Sequence, residues 1–195
     1  MPAETERGED MQKNLYLKQG RPEKEEGRLA KELRVYDYLD RLGIDYVRID
    51  LAPADGDDPA LLSKIEETLG AKICNNLFLA NRQRTQFCLM MIPRNKRFKS
   101  SDISKQAGRS RLHFAEPEYM EEMIDCTPGS ASVLGLINDP DCRVQLLVDE
   151  DILRAEYVGC HPCINTSSLR IRTSDLFETF LNAAGHDYIV VHAAD

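Results

Sequence analysis

Residues 76–92 read NLFLANRQRTQFCLMMI, and this stretch decides the predicted fold. Two runs of strand-forming residues, 76–80 and 85–92, flank the short polar segment 81–84. Runs of this length with a short polar connection between them predict an antiparallel β-hairpin. The hairpin is the reference from which the other elements are assigned.

Before the hairpin, the apolar spacing predicts a helix, a strand and a second helix. The first helix spans roughly 24–42 and ends near Gly43, and its apolar stripe comprises Leu29, Leu33, Tyr36 and Leu39. Alternation over 46–51 predicts a strand, which an acidic loop at 55–59 follows. Residues 60–69 form the second predicted helix, which Gly70 ends.

After the hairpin, short helices are predicted at 101–107 and 117–124, and a longer one at 174–184. Strands are predicted at 143–148, 169–172 and 187–192. Because strands outnumber helices without strict βαβ alternation, the sequence predicts a mixed α/β (α+β) fold. We expect a single domain at 25–195, with a mixed, largely antiparallel sheet surrounded by helices.

Composition sets the class of protein. A chain of 195 residues is long enough for one domain with a core that needs no metal or disulfide. Residues 1–24 are polar and predict a flexible tail. No apolar stretch approaches 18 residues and the first 30 residues are polar, so a cytoplasmic protein with no membrane partner is expected.

Charge is distributed unevenly along the chain. The net charge is −8, which argues against indiscriminate nucleic-acid binding. Between residues 94 and 111, however, Asp102 is the one acid among seven basic residues: Arg94, Lys96, Arg97, Lys99, Lys105, Arg109 and Arg111. The run is interpreted either as ordinary solvated surface or as a contact for RNA phosphates.

The cysteines are expected to be reduced thiols that form neither a metal site nor a redox centre. Cys160 and Cys163 form a Cys-x-x-Cys pair, but a structural zinc site usually needs a second pair, which the sequence lacks. A thioredoxin-like centre would need the pair at the start of a helix, whereas Pro162 and the polar residues after it favour a loop. A zinc or thiol-redox protein is therefore the least favoured alternative.

Three segments concentrate polar groups that could perform chemistry: 74–79, 129–139 and 159–166. Each also has a plain structural interpretation. Asn75 and Asn76 fit a strand entry, residues 129–139 fit a turn into a buried strand, and His161 fits a loop histidine bonded to backbone.

Taken together, the segments resemble the YbaK/ProX family of aminoacyl-tRNA editing domains. The resemblance covers about residues 30–192. It is strongest at NLFL (76–79), SVLGLIND (132–139), Val148-Asp149 and the stretch from His161 to Thr166. Within the family, the sequence is most similar to freestanding ProX proteins, which remove alanine wrongly attached to proline tRNA.

The resemblance implies hydrolysis, without metal or cofactor, of the ester between a small amino acid and the terminal ribose of tRNA. It implies roles for His161 in orienting the sugar hydroxyl or water, for Gly129 and Ser130 as main-chain N–H donors, and for Asn76 in holding substrate. Asn165 and Thr166 belong to the same substrate-binding set. The acceptor end of proline tRNA is then the expected partner, prolyl-tRNA synthetase is a candidate partner, and DNA is not expected.

One position departs from the family pattern. Family members normally carry lysine immediately before the asparagine, whereas this chain has Asn75 there. An asparagine can donate hydrogen bonds to a developing oxyanion but brings no charge. Asn75 is thus retained as a catalytic candidate. It also supports the alternative of a non-catalytic module that binds an aminoacyl group or tRNA. Lys72 is three residues earlier, which would place it on the opposite strand face.

Overall fold

The computed structural model describes residues 15–51 and 59–195. In these ranges the strands are β1 (Lys18–Gln19), β2 (Tyr46–Asp50), β3 (Lys72–Ile73), β4 (Asn75–Asn81), β5 (Phe87–Ile92), β6 (Leu112–Phe114), β7 (Val144–Asp149), β8 (Tyr157–Cys160), β9 (Ser167–Arg172) and β10 (Tyr188–Val191). The α-helices are α1 (Ala30–Arg41), α2 (Pro59–Leu69), α3 (Ser100–Gln106), α4 (Pro117–Ile124), α5 (Glu150–Arg154) and α6 (Leu181–Ala184). A 3₁₀ helix occupies Val133–Asn138, and a π-helical segment, Asp175–Phe180, leads into α6.

The strands divide between two five-stranded sheets. The first sheet has the order β1-β2-β9-β8-β3, and the second has the order β10-β7-β5-β4-β6. Each combines antiparallel and parallel pairs, with β3–β8, β5–β7 and β7–β10 parallel. The predicted fold class is confirmed, but the strands form two sheets instead of the single sheet expected from the sequence.

The predicted hairpin is the centre of the second sheet. β4 and β5 pair antiparallel from Asn75 opposite Ile92 to Ala80 opposite Phe87. Side chains on both faces of this pair are buried: Phe78 and Leu89 pack in the main core, and Leu79 and Met90 pack in a second cluster with α3. Burial on both faces explains why the two runs are almost continuously apolar.

Several predicted boundaries need correction. Residues 1–14 and most of the acidic loop lie outside the described residues. Within the predicted tail, however, Lys18 and Gln19 form β1, which pairs with β2. The first helix begins at Ala30, not near residue 24. The alternative of a buried strand at 132–137 is wrong, since this segment is the 3₁₀ helix with the Ser132 hydroxyl accepting from Leu134 N–H at its start.

The parallel pair β3–β8 was not predicted from the sequence. These strands have two and four residues, and β8 contains Gly159, a residue that weakens a strand prediction. A Cβ on Gly159 would lie 2.8 Å from Ile73 Cγ1 and 3.0 Å from Lys72 O. The glycine therefore lets β3 approach closely enough to pair.

Gly135 has a similar packing role in the 3₁₀ helix. A Cβ there would lie 2.6 Å from Ile124 O and 3.0 Å from Cys126 Sγ. We expect Gly135→Ala to lower the free energy of unfolding by about 1–3 kcal/mol, because the backbone of α4 cannot easily move aside. Urea unfolding followed by circular dichroism measures this loss. Gly108→Ala is a poor comparison because its φ is +61°, so Glu121→Ala, at an exposed position of α4, is the better control. Equal stability of Gly135→Ala and the wild type would contradict the packing argument.

No helix within 15–51 and 59–195 is long and apolar enough to cross a membrane.

Candidate active site

The candidate site lies where the chain passes from the first sheet to the second. Ile73 pairs with Gly159 in the parallel pair, and Asn75 and His161 each follow two residues later. Ile92 pairs with Asn75, so Arg94 leaves the sheet at the same end. The register thus brings Asn75, Arg94 and His161 to one end of adjoining strands, although they are far apart in sequence.

His161 has a defined tautomer. Its Nδ1 lies 2.9 Å from the carbonyl oxygen of Ser167, which can only accept, so Nδ1 carries the proton. Burial lowers the pKa of His161 below its ordinary value of 6.5, the bond to Ser167 opposes this, and the charge of Arg94 lowers it further. At neutral pH the ring is therefore uncharged, with a lone pair on Nε2. Within the described residues Nε2 has no hydrogen-bond partner, which leaves it free to accept a proton from a hydroxyl or water.

A polar network holds the strand that supports His161. The Ser167 hydroxyl donates to Asp50 Oδ1 at 3.2 Å and lies 3.3 Å from the hydroxyl of Tyr36. Arg28 and Arg48 also bind the Asp50 carboxylate, both at 2.9 Å. Burial would raise the pKa of Asp50, but these two hydrogen bonds outweigh it and hold the pKa well below its ordinary value. Asp50 is thus a charged anchor behind His161.

The sequence analysis did not identify this network. Tyr36 appeared there only as part of an apolar helix stripe, and Asp50 and Ser167 lie at strand ends without a motif of their own. Their partners are distant in sequence, with 131 residues between Tyr36 and Ser167. The one available signal was a set of polar residues in otherwise apolar strands.

The two asparagines have different surroundings. Asn75 is exposed and shares a strand face with Leu77, whereas Asn76 is half-buried on the opposite face. The Asn76 side-chain amide donates weakly to Cys74 O at 3.5 Å, and its Oδ1 is buried without a partner in the described part of the chain. An unpaired buried acceptor is unusual and is available to a donor on a bound molecule.

The turn at 127–130 differs from expectation in one respect. The Ser130 N–H donates to Thr127 O at 2.9 Å, and the Ser130 hydroxyl bonds within the same turn. Ser130 is therefore occupied in shaping the turn, and its role as a main-chain donor to substrate stays a prediction. Gly129 is exposed with φ +84°, and its N–H has no partner among the described residues. Of the two predicted donors, Gly129 is the one available.

The loop between β8 and β9 contacts both the end of β2 and the residue next to the 127–130 turn. Thr166 O accepts from Leu51 N–H at 2.8 Å, which ties the loop to the end of β2. The buried thiol of Cys163 hydrogen-bonds the thiol of Cys126, next to the 127–130 turn. Asn165 is half-buried between these two attachments. The loop is thus attached at one end to β2 and at the other to the residue that precedes the 127–130 turn.

The Cys-x-x-Cys pair has no reactive thiol. Burial raises the pKa of Cys160 well above its ordinary value. The hydrogen bond to Cys126, together with burial, does the same for Cys163. Thiols that stay protonated are poor nucleophiles and metal ligands. In the described part of the chain, no three His, Cys, Asp or Glu side chains are placed to hold a metal ion.

The basic run does not act as one unit. Lys96 binds Asp149 at 2.8 Å and Asp151 at 2.6 Å, and its side chain is only 9% exposed. Arg109 donates to Gln145 at 3.1 Å. Lys96 is therefore a structural cation, whereas its role in RNA binding stays a prediction. The exposed members of the run are Arg94, Arg97, Lys99, Lys105 and Arg111.

Lys72 does not take the place of the missing lysine at position 75. It lies in β3, a strand separate from that of Asn75, and binds Glu66 at 2.8 Å. Both residues line a cavity of about 450 Å³ that also includes Cys74 and Arg94. Cys74, in the lining of this cavity, directly precedes Asn75 in the chain.

The environment of His161 predicts its titration. Its pKa should lie below 6.5, so acidification protonates the ring only below that pH. Because the unfolded chain takes up this proton at about pH 6.5, the stability that the neutral ring contributes is lost as the pH falls below that value. NMR titration of the imidazole protons measures the midpoint without requiring activity. Arg94→Gln should raise the midpoint and Arg94→Lys should preserve it. A wild-type midpoint at or above 6.5 would contradict this account.

Comparison with known proteins points to one family. A family model described as an aminoacyl-tRNA editing domain matches residues 55–179. The chain is 25% identical over 150 residues to a prolyl-tRNA editing protein ProX of Acetoanaerobium sticklandii, covering 77% of this chain and 90% of that protein. It is 29% identical over 153 residues to prolyl-tRNA synthetase associated domain-containing protein 1 of Xenopus laevis, covering 74% and 90%.

Solved structures support the fold. The chain superposes with a TM-score of 0.62 on a structure provisionally described as a trans-editing enzyme for prolyl tRNA synthetase. The match covers 86% of this chain and 98% of that chain at 16% sequence identity. At this identity the likeness concerns the fold, and it confirms the mixed α/β class predicted from the sequence.

Proposed function

Since the chain belongs to the aminoacyl-tRNA editing domain family, with residues 55–179 matching its model, we propose that it is a trans-editing deacylase. It hydrolyses the ester of a small amino acid, in the first place alanine, on mischarged proline tRNA. The acceptor end of that tRNA is its substrate, and prolyl-tRNA synthetase is the enzyme whose errors it corrects. The observation that carries the proposal is the neutral His161, with Nδ1 bound to Ser167 O at 2.9 Å and Nε2 free.

The proposed chemistry follows from the site residues. The Nε2 lone pair of His161 accepts a hydrogen bond from the attacking water or from the free hydroxyl of the terminal ribose, which orients it towards the ester carbonyl. The exposed N–H of Gly129 and the amide of Asn75 donate to the oxygen on which negative charge develops. The Asn76 Oδ1, buried without a partner in the described residues, accepts from the amino group of the substrate.

The positive charge of Arg94 in this region suits a phosphate of the tRNA. Arg94 is exposed and has no ion pair among the described residues. Its charge lies close enough to lower the pKa of His161. We assign Arg94 to the terminal phosphate of the tRNA, a role in which it also keeps His161 unprotonated.

A separate deacylase has a clear physical purpose. The aminoacylation pocket of a synthetase for proline discriminates against a smaller amino acid by only about 10- to 200-fold, since the two side chains differ by about one or two methylene groups. A second pocket that admits alanine and excludes proline then removes the errors. In this chain Phe78 and Leu134, both buried in the main core near the site strands, are candidates for the wall of that pocket.

A second candidate function rests on Asn75. Without the lysine charge at this position, a site of this shape could bind the aminoacyl end of tRNA without hydrolysing it. This interpretation predicts a binding or regulatory module on the same fold. It differs from the main proposal only in turnover.

The deciding experiment is a deacylation assay with alanine-charged proline tRNA. The deacylase proposal predicts release of alanine above the buffer control and little release of proline from correctly charged tRNA. Cys160→Ser is the matched control, since this thiol is buried and has no proposed role. Retention of the ester together with measurable tRNA binding would favour the binding module. Loss of activity on Cys160→Ser with no effect of His161→Gln would contradict the proposed site.

A further inference from the structure

Exposed Phe114 of the second sheet forms a pair with half-buried Phe98 of the segment before α3. Phe114, in the edge strand β6, is 63% exposed. Its ring lies 5.8 Å from that of Phe98 at an interplanar angle of 66°, an edge-to-face contact. Phe98 is half-buried and packs with Leu77 against the second core cluster. The contact therefore holds Phe114 in a defined orientation at the surface.

The pair lies on the same sheet face as Asn75. Phe114 is directly opposite Leu79 on β4, and residues opposite one another share a face. Asn75 and Leu77 precede Leu79 at alternate positions and so share that face too. At about 3.3 Å per residue, Phe114 lies roughly 13 Å along the strand from Asn75. The strip of side chains Asn75, Leu77, Leu79 and Phe114 therefore runs along one face of the sheet, with Leu79 fully buried within it.

Positive charge borders this strip. Arg97 and Lys99 flank Phe98 in sequence, and Arg94 precedes them in the segment that follows β5. All three are exposed, and none has an ion pair in the described part of the chain. The carboxylate nearest to Phe114 in sequence, that of Glu116, is paired with Arg84 at 2.6 Å. The surroundings of the two rings are therefore cationic.

We propose that Leu77, Phe98 and Phe114 form a stacking platform for an unpaired nucleotide of RNA, and that Arg94, Arg97 and Lys99 bind its phosphates. Aromatic rings beside a cationic track are the features that single-stranded nucleic acid requires, since every base has a flat face and every link has a charge. A protein partner would not need the cations. The inference rests on the proposed function in that it takes the partner to be RNA.

The opposite edge of the same sheet provides a matched control. Tyr188, in β10, is 37% exposed, and its ring contacts Phe177 at 5.1 Å and 61°. This pair has similar geometry, but Glu156 and Glu178 line the adjoining cavity with Arg172. Stacking of RNA is therefore not expected at Tyr188.

The test measures the affinity of the full chain for uncharged proline tRNA and for a labelled single-stranded RNA ending in CCA, by fluorescence anisotropy. Phe114→Ala should weaken binding of both by about 5- to 150-fold, the range for loss of one stacked base. Phe114→Trp should retain the affinity, and Tyr188→Ala should leave it unchanged. Lys99→Gln should reduce the slope of log affinity against log salt by about 1, whereas Phe114→Ala should not change the slope.

Three outcomes would overturn the platform. The first is an RNA affinity of Phe114→Ala equal to that of the wild type. The second is an equal loss of affinity in Phe114→Ala and Tyr188→Ala. The third is a loss of affinity in Phe114→Trp as large as that in Phe114→Ala. Circular dichroism of each variant verifies its fold, and Phe114 is exposed enough that little change is expected. Because the RNA is uncharged, the result does not depend on hydrolysis. If no alanine is released but Phe114→Ala weakens RNA binding as expected, only the proposed function is rejected. If alanine is released but Phe114→Ala leaves RNA binding unchanged, only the platform is rejected.

Discussion

Asn75→Lys should increase the rate of alanine release from proline tRNA by about 100- to 1,000-fold, the range associated with one donor to a developing oxyanion. Asn75 is exposed at the start of β4, so a longer side chain can be accommodated there without disturbing the core. Lys72 does not provide this charge, because its ammonium group is bound to Glu66 at 2.8 Å. The substitution therefore adds a charge where the described structure has an amide.

The measurement is a single-turnover deacylation rate with protein in excess over alanine-charged tRNA. Asn75→Gln is the matched control, since it keeps the amide and adds length without charge, and it should resemble the wild type. Adding His161→Gln to Asn75→Lys should remove most of the gain if both side chains act on one ester. If Asn75→Lys and Asn75→Gln have the same rate, the site does not use a charge at position 75.

Lys96→Met should lower the free energy of unfolding by about 3–5 kcal/mol, the usual result of removing one partner from a buried ion pair. The Asp149 side chain is 0% exposed, and Lys96 Nζ lies 2.8 Å from its Oδ1. Asp149 Oδ2 still accepts from Ala193 N–H at 2.8 Å and Oδ1 from Asp151 N–H at 3.1 Å, but these two backbone hydrogen bonds do not replace a counterion. The charge left in the interior accounts for the expected loss.

Urea unfolding gives this free energy directly. Lys99→Met is the control, because Lys99 is an exposed cation of the same run and should change stability by less than about 0.5 kcal/mol. Combining Lys96→Met with Asp149→Asn should recover part of the loss, since the second change removes the unpaired charge. Similar stabilities of Lys96→Met and Lys99→Met would show that Lys96 is an ordinary surface cation.

The hairpin and α4 illustrate what the sequence could predict. The hairpin is a local structure of long apolar runs, and it was found at 75–92. Helix α4 has the predicted bounds Pro117–Ile124, since a proline at its first turn marks its start. In both cases the signals lie within a few residues of the element they specify.

The division into two sheets could not be predicted in this way. It depends on β3 and β8, which are short and whose pairing joins residues 86 positions apart, as in Ile73 and Gly159. The same limitation applies to the site. The resemblance identified His161 and Asn76, whereas the Asp50–Ser167 contact that supports His161 spans 117 positions. Likewise, Lys96 is buried in an ion pair and Lys99 is exposed because of where Asp149 lies, and local composition does not indicate that position.

A single residue, Cys74, separates β3 in the first sheet from β4 in the second. Asn75 and Asn76 follow it directly, so a molecule held by them would connect both sheets. Amide hydrogen exchange should then slow on binding in β8 and in β5 together, although these strands belong to different sheets. A substrate at this junction would act as a brace between the two sheets of the fold.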